Sequence, residues 1–208
     1  MSWFSKETIA PALRAAPAGH RSLALRALLD GLHPERRPAV LDLGPPLAGN
    51  IKFLSGLSCR VRVADLHRSM CAEPLESRRA DTMPALLERL LPLEPDEQFD
   101  AVLAWDAFDY MRVDQVKPLM ARLAPRLRSS AQVFVLVSMQ AQIPAVPLRH
   151  RILDRDHITS EKPGRDDDHD VMRPGPRYRQ ADLGKMMPTL SVRRCYLLRS
   201  GIKEYLLG

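Results

Sequence analysis

Three cysteines in 208 residues, Cys59, Cys71 and Cys195, are too few and too scattered for a disulfide framework or an all-cysteine zinc site. Aromatic residues make up only 5% of the chain, and none is interleaved with the arginines as in a base-stacking surface. No apolar run approaches the roughly eighteen residues that a membrane span needs, and the chain opens on no export-signal pattern. A reduced, cytoplasmic protein with no membrane partner is therefore expected. There is no internal repeat, and no G-x-S-x-G elbow to mark a serine hydrolase.

With 45% hydrophobic and 27% charged residues, the composition suits one α/β domain with a substantial core. The net charge of +6 would allow nucleic acid as a partner. The arginines are nevertheless dispersed, as in Arg36-Arg37, Arg78-Arg79, Arg126, Arg128, Arg149, Arg151 and Arg193-Arg194, so nucleic acid is not the favoured partner. His150, His157 and His169 lie among Asp154, Asp156 and the acidic residues 166–170. Their spacing fits no calcium loop, so a solvated charged run is expected there and no metal site.

Apolar spacing predicts an amphipathic helix over residues 23–32, ended by Gly31 within an N-terminal helical extension, residues 1–38. The main domain then spans residues 39–208. Its strands are expected at 39–43, 60–65, 99–105 and 132–138, the last buried on both faces. Helices follow at 83–91 and 114–127, and Leu47, Ile51, Leu54 and Leu57 mark one face of another. Residues 66–98 hold no apolar β-run, so a regular third parallel strand should be missing. Residues 139–178, with five prolines and an acidic run, show no clear periodicity and read as a functional lid or a partly disordered segment. A short helix at 180–187 and two strands joined at Ser200-Gly201 complete the chain. Alternating strands and helices imply a single twisted, mostly parallel sheet with helices on both faces and an antiparallel C-terminal hairpin.

The segment Ala39-Val-Leu-Asp-Leu-Gly44 runs into Pro45-Pro-Leu-Ala-Gly49, a strand entering a tight turn that opens a helix. Asp65 ends the next strand about twenty positions later, where a carboxylate can accept ribose hydroxyls from a nucleoside lying over the turn. The same aspartate could instead cap the following helix. Asp106, with Asp109 and Tyr110 nearby, ends the fourth strand, at the edge where open α/β sheets bind ligands. It can orient or deprotonate a substrate beside Tyr110, or simply cap a helix beside a core-edge tyrosine. Trp105 reads as packing rather than as a platform for adenine.

In order and spacing these segments resemble the class I S-adenosylmethionine-dependent methyltransferases. Val40-Leu-Asp-Leu-Gly44 looks like the family's first motif, and Phe99-Asp-Ala-Val-Leu-Ala-Trp-Asp106 like the strand beside the methyl acceptor. Leu123-Ala-Pro-Arg-Leu-Arg128 before residues 133–137 is similar to the helix leading into the family's fifth strand. The resemblance implies a Rossmann-like fold and S-adenosylmethionine as cofactor, held by Asp42, Gly44, Pro46, Gly49, Asp65 and Trp105. It implies Asp106 and Tyr110 at a small-molecule or protein acceptor, with Asp42 facing the methionine amine or bonding the turn. The family's alternate glycines fall here at Gly44, Pro46 and Ala48. Proline lacks the N–H and fixes φ, although Pro46 could start the helix and Gly49 take over the close contact. That departure leaves open a methyltransferase-fold protein without turnover, acting as a binding or regulatory partner.

Overall fold

Val40 and Leu41 turn to opposite faces of one strand, and each meets a different hydrophobic core. The computed structural model that shows this describes residues 19–73, 78–162, 171–176, 178, 180–187 and 189–208. In chain order the elements are β1 (His20–Arg21), α1 (Leu23–Asp30), β2 (Ala39–Asp42), α2 (Ala48–Gly56) and β3 (Arg60–Val63). Then come α3 (Leu66–Cys71), α4 (Met83–Leu90), β4 (Phe99–Trp105), α5 (Val113–Leu123) and β5 (Leu127–Ser138). The rest are β6 (Gln142–Pro144), β7 (Arg149–Ile152), β8 (His157–Glu161), β9 (Met172–Pro174), α6 (Gln180–Met186), β10 (Val192–Leu197) and β11 (Ile202–Leu207).

Six strands form the central sheet in the order β10-β11-β5-β4-β2-β3. β3, β2, β4 and β5 are parallel, and β11 runs antiparallel between β5 and β10. The fold is thus α/β and Rossmann-like, with the expected antiparallel C-terminal pair. β4 and residues 133–137 of β5 read as almost unbroken apolar runs because both of their faces are covered. On one face Leu41, Val102 and Val135 meet Met70 of α3, Leu87 of α4, Leu119 of α5 and Met186 of α6. On the other, Val40, Leu103 and Phe134 meet Leu25 and Leu28 of α1 and Leu54 of α2.

Among the described residues no strand stands between β3 and β4, as the missing apolar run predicts. β5 begins earlier than expected, because Leu127 pairs with Phe99 and draws the exposed Arg128 to Ser130 into the strand. α1 ends on Gly31 as expected and starts on Ser22, whose hydroxyl accepts from the Leu25 N–H at 3.2 Å. The remainder of the expected N-terminal helical extension, residues 1–18, lies outside the described residues. No described helix is long and apolar enough to cross a membrane.

Residues 139–178 correct the reading of an irregular segment. They carry β6 to β9; residues 163–170 and 177 lie outside the described part. β7 and β8 form an antiparallel hairpin, and β1 adds to its outer edge to make a three-stranded sheet. Ile152 and Ile158 sink into the core shared with α1 and α2, which anchors the hairpin beside the start of α2. Alternation without bulk hides such a strand: Arg149 and Arg151 face out while His150 and Ile152 face in.

Candidate functional site

β2 and β3 end side by side, and the turns that follow them are stitched together. The Asp65 N–H donates to the Gly44 carbonyl at 3.1 Å, and the Leu66 N–H to that of Leu43 at 3.0 Å. This brings Asp65 against the glycine turn at the carboxyl edge of the sheet. Asp65 takes a left-handed backbone, φ 42°, at the cap position of α3. Partial burial raises its pKa, and the nearby Arg68 and Arg149 oppose that rise.

Gly44 is buried at the foot of the turn, whereas Pro46 and Gly49 are exposed. The helix begins at Ala48 with Leu47 as its cap residue, so Pro46 precedes α2 and does not start it. No side chain caps that helix. A Cβ on Gly44 would lie 2.9 Å from Trp105 Cδ1 and 3.1 Å from Asp42 Oδ1. Here the glycine makes room for an indole. Asp42 is held by the turn itself: its Oδ1 accepts from the Gly44 N–H at 2.9 Å and from Trp105 Nε1 at 2.7 Å. Burial pushes the Asp42 carboxyl up to about 6 in spite of those two donors.

Trp105 is 3% exposed and carries φ 50°, a left-handed conformation that is uncommon for so bulky a residue. It stands where the β4–β5 register shifts. Its ring meets Phe134 edge-on at 5.6 Å and lies parallel to the His150 imidazole at 5.4 Å. Trp105 and Asp65 thus place two strained backbones at one edge of the sheet, where such strain tends to accompany function.

Asp106 occupies the cap position of the 3-10 turn Ala107–Tyr110, but its side chain caps nothing. Oδ2 accepts from the Leu148 N–H at 3.3 Å and faces His150 Nε2 at 3.2 Å. That approach lacks hydrogen-bond geometry, so the buried Nε2 is left without a hydrogen-bond partner, while Nδ1 contacts the Ser160 hydroxyl at 2.9 Å. Asp109 is buried beneath, accepting from the Ser138 N–H at 2.9 Å. Burial, reinforced by the Asp106 charge, pushes its carboxyl up to about 8. Tyr110 leans away, its hydroxyl 3.4 Å from the Val146 carbonyl and its ring 5.5 Å from the Arg173 guanidinium.

The structure therefore gathers Asp42, Gly44, Asp65, Trp105 and Asp106 at one edge, and leaves Pro46, Gly49 and Tyr110 nearer its rim. Sequence reasoning missed Asn50, and it placed His150 in a solvated charged run, whereas the structure buries it. Asn50 is buried in the first turn of α2; its Nδ2 donates to the His150 carbonyl at 2.9 Å and its Oδ1 accepts from the Ile152 N–H at 2.8 Å. It reads β7 as a neighbouring strand would. A buried polar residue early in a helix is the one signal that could have announced a partner. Asp154, Asp156 and His157 lie close enough for a metal, but Asp156 already faces Arg21 and Arg26.

The contact between Gly44 and the indole is testable. Gly44→Ala is expected to lower stability by about 1–3 kcal/mol, since the rigid ring and the Asp42 carboxylate must both shift. In a Trp105→Ala background the same substitution should cost less, because only the Asp42 carboxylate then has to shift, a coupling that a double-mutant cycle in urea would reveal. Additive losses would mean that the indole does not dictate the glycine.

No protein-family model and no curated protein matches the chain. Among solved structures, the PH0226 protein of Pyrococcus horikoshii OT3 aligns with a TM-score of 0.51 at 11% identity, covering 89% of this chain and 87% of that one. Several others score 0.45, two of them as follows. One is a Burkholderia thailandensis 1,6-didemethyltoxoflavin-N1-methyltransferase with bound 1,6-didemethyltoxoflavin and S-adenosylhomocysteine, at 16% identity over 89% and 77% of the two chains. The other is a TehB-like SAM-dependent methyltransferase from Corynebacterium glutamicum, at 13% identity over 88% and 86%. The likeness to the Pyrococcus protein is one of fold.

Proposed function

We propose that this chain is an S-adenosylmethionine-dependent methyltransferase acting on a small-molecule or protein acceptor. The observation that carries this reading is the meeting of Asp65 with the Gly44 turn at the carboxyl edge of a β3-β2-β4-β5 parallel sheet. An open α/β sheet binds nucleosides at that edge. The residues present suit the group: Asp65 offers a part-buried carboxylate, and the uncapped start of α2 offers backbone donors. Asp65 would take the ribose hydroxyls, with Gly44 and Gly49 flanking them and Trp105 walling the site. Asp42, committed to Gly44 and Trp105, sets the shape of the turn.

When bound, the cofactor supplies an already activated sulfonium methyl, so the chain's task is alignment of the acceptor. Asp106 is 14% exposed and stands at the end of β4, where it would orient the acceptor and take its proton. His150 backs it from inside, held by the Ser160 hydroxyl and the indole face.

Calorimetric titration with S-adenosylmethionine and S-adenosylhomocysteine tests the reading. The parent is expected to bind both. Asp65→Ala should weaken binding by about 1–3 kcal/mol, the cost of leaving buried hydroxyls without their charged acceptor. A parent that binds neither compound, or a variant that binds as tightly as the parent, would remove Asp65 from the role.

A further inference from the structure

At the opposite edge of the sheet the strands begin: β2 at Ala39, β3 at Arg60, β4 at Phe99 and β5 at Leu127. Two adjoining cavities lie there, of about 440 and 520 Å³, sharing Arg60, Gln98 and Arg128. The smaller is balanced in charge, with Arg62 engaged by Glu97 and with Glu94 and Asp96 on its wall. The larger is not. Arg36, Arg37, Arg60 and Arg128 line it against one carboxylate, Asp100, which already accepts from the Ala39 N–H at 2.8 Å and faces Arg128 at 3.4 Å. Arg36, Arg37 and Arg60 have no carboxylate partner among the described residues.

The backbone beneath is set for this arrangement. Arg37 takes φ 49° at the end of the 3-10 turn Pro34–Arg36, its N–H donating to the Pro34 carbonyl at 3.0 Å. A left-handed arginine outside a glycine turn persists where its surroundings impose it. It places Arg36 and Arg37 on the same cavity as Arg60 of the neighbouring strand start.

We propose that this cavity binds a phosphate-bearing anion. One guanidinium fork satisfies a carboxylate, whereas three unneutralised forks match the several oxygens and the two charges of a phosphate. The Ser129 and Ser130 hydroxyls add neutral donors on the same wall, where the Gln98 amide already gives one N–H to the Pro125 carbonyl at 3.1 Å. No aromatic side chain lines the cavity, so recognition runs through phosphate and not through a stacked base. A free phosphoester and a nucleic-acid backbone share that chemistry. The site lies across the sheet from Asp65 and does not depend on the cofactor reading.

The test uses inorganic pyrophosphate by calorimetry and a labelled single-stranded oligonucleotide of about twelve nucleotides by anisotropy, each over a range of potassium chloride. Arg37→Gln/Arg60→Gln is compared with Arg194→Gln/Arg199→Gln, which removes the same charge elsewhere. The cavity variant should bind at least tenfold more weakly and the control like the parent. Arg37→Lys should fall between, because it keeps the charge and loses the fork. Tighter binding of pyrophosphate than of the oligonucleotide assigns a free phosphoester. The reverse order, with a salt slope reduced by about one to two units in the cavity variant, assigns a strand backbone. Equal loss in cavity and control variants reduces the effect to net charge and overturns the proposal, as does a parent that binds neither probe.

Discussion

Asp109→Asn is expected to stabilise the protein at pH 9 by roughly 5 kcal/mol and to leave it almost unchanged near pH 4. The buried Asp109 carboxyl has its pKa pushed up to about 8, against about 4 in an unfolded chain. Between those values the folded state holds a proton that the unfolded state has released. This contribution is therefore complete below pH 4 and is lost as the pH rises towards 8. Asparagine carries no charge to bury and keeps an oxygen for the Ser138 N–H. Asp42, raised to about 6, adds a decline of the same sign over a narrower window, and it is present in both proteins. Urea midpoints of parent and variant across this range would settle the matter. A difference that does not vary with pH would show that Asp109 is already charged in the folded state.

Trp105→Ala should cost about 3–5 kcal/mol, the range for removing a fully packed aromatic side chain. The indole touches Phe134 and His150 and gives its N–H to Asp42. Its loss opens a cavity and strips a buried carboxylate of a donor. Trp105→Phe restores much of the packing but not the N–H, and should recover more than half of the stability. If phenylalanine fares no better than alanine, the hydrogen bond to Asp42 outweighs the packing. A loss below about 1 kcal/mol for alanine would show that the ring is not tightly held.

The layered part of the fold was legible because its strands are runs of apolar and β-branched residues and its helices repeat their apolar positions. Residues 99–105 and 132–138, the C-terminal hairpin and, among the described residues, the absence of a strand at 66–98 all follow from that patterning. Asp65 beside Gly44 was legible because a parallel crossover fixes which strand ends become neighbours. The β7–β8 hairpin was not. Its burial rests on His150, Ile152, Ile158 and Thr159 amid arginines and aspartates, too few apolar residues to set a period. Asn50 and His150 lie 100 positions apart, and nothing local links them. The arginines, dispersed along the chain, converge only because Arg36, Arg37, Arg60 and Arg128 all sit near strand starts.

The joining of β1 to β8 has a consequence for the order in which the molecule assembles. Arg21 and Asp156, paired across that junction, are separated by 135 residues. β7 and β8 are neighbours in sequence and can zip together at little entropic cost, but β1 must wait until the intervening chain has been gathered in. Folding should therefore build the central sheet and the hairpin first and seal β1 against β8 late. During synthesis the edge strand His20–Arg21 is among the earliest described segments to emerge, yet its partner is made only after most of the central sheet has left the ribosome. Until then its unpaired N–H and C=O groups are open to other chains, which makes this strand a vulnerable edge during the protein's own production.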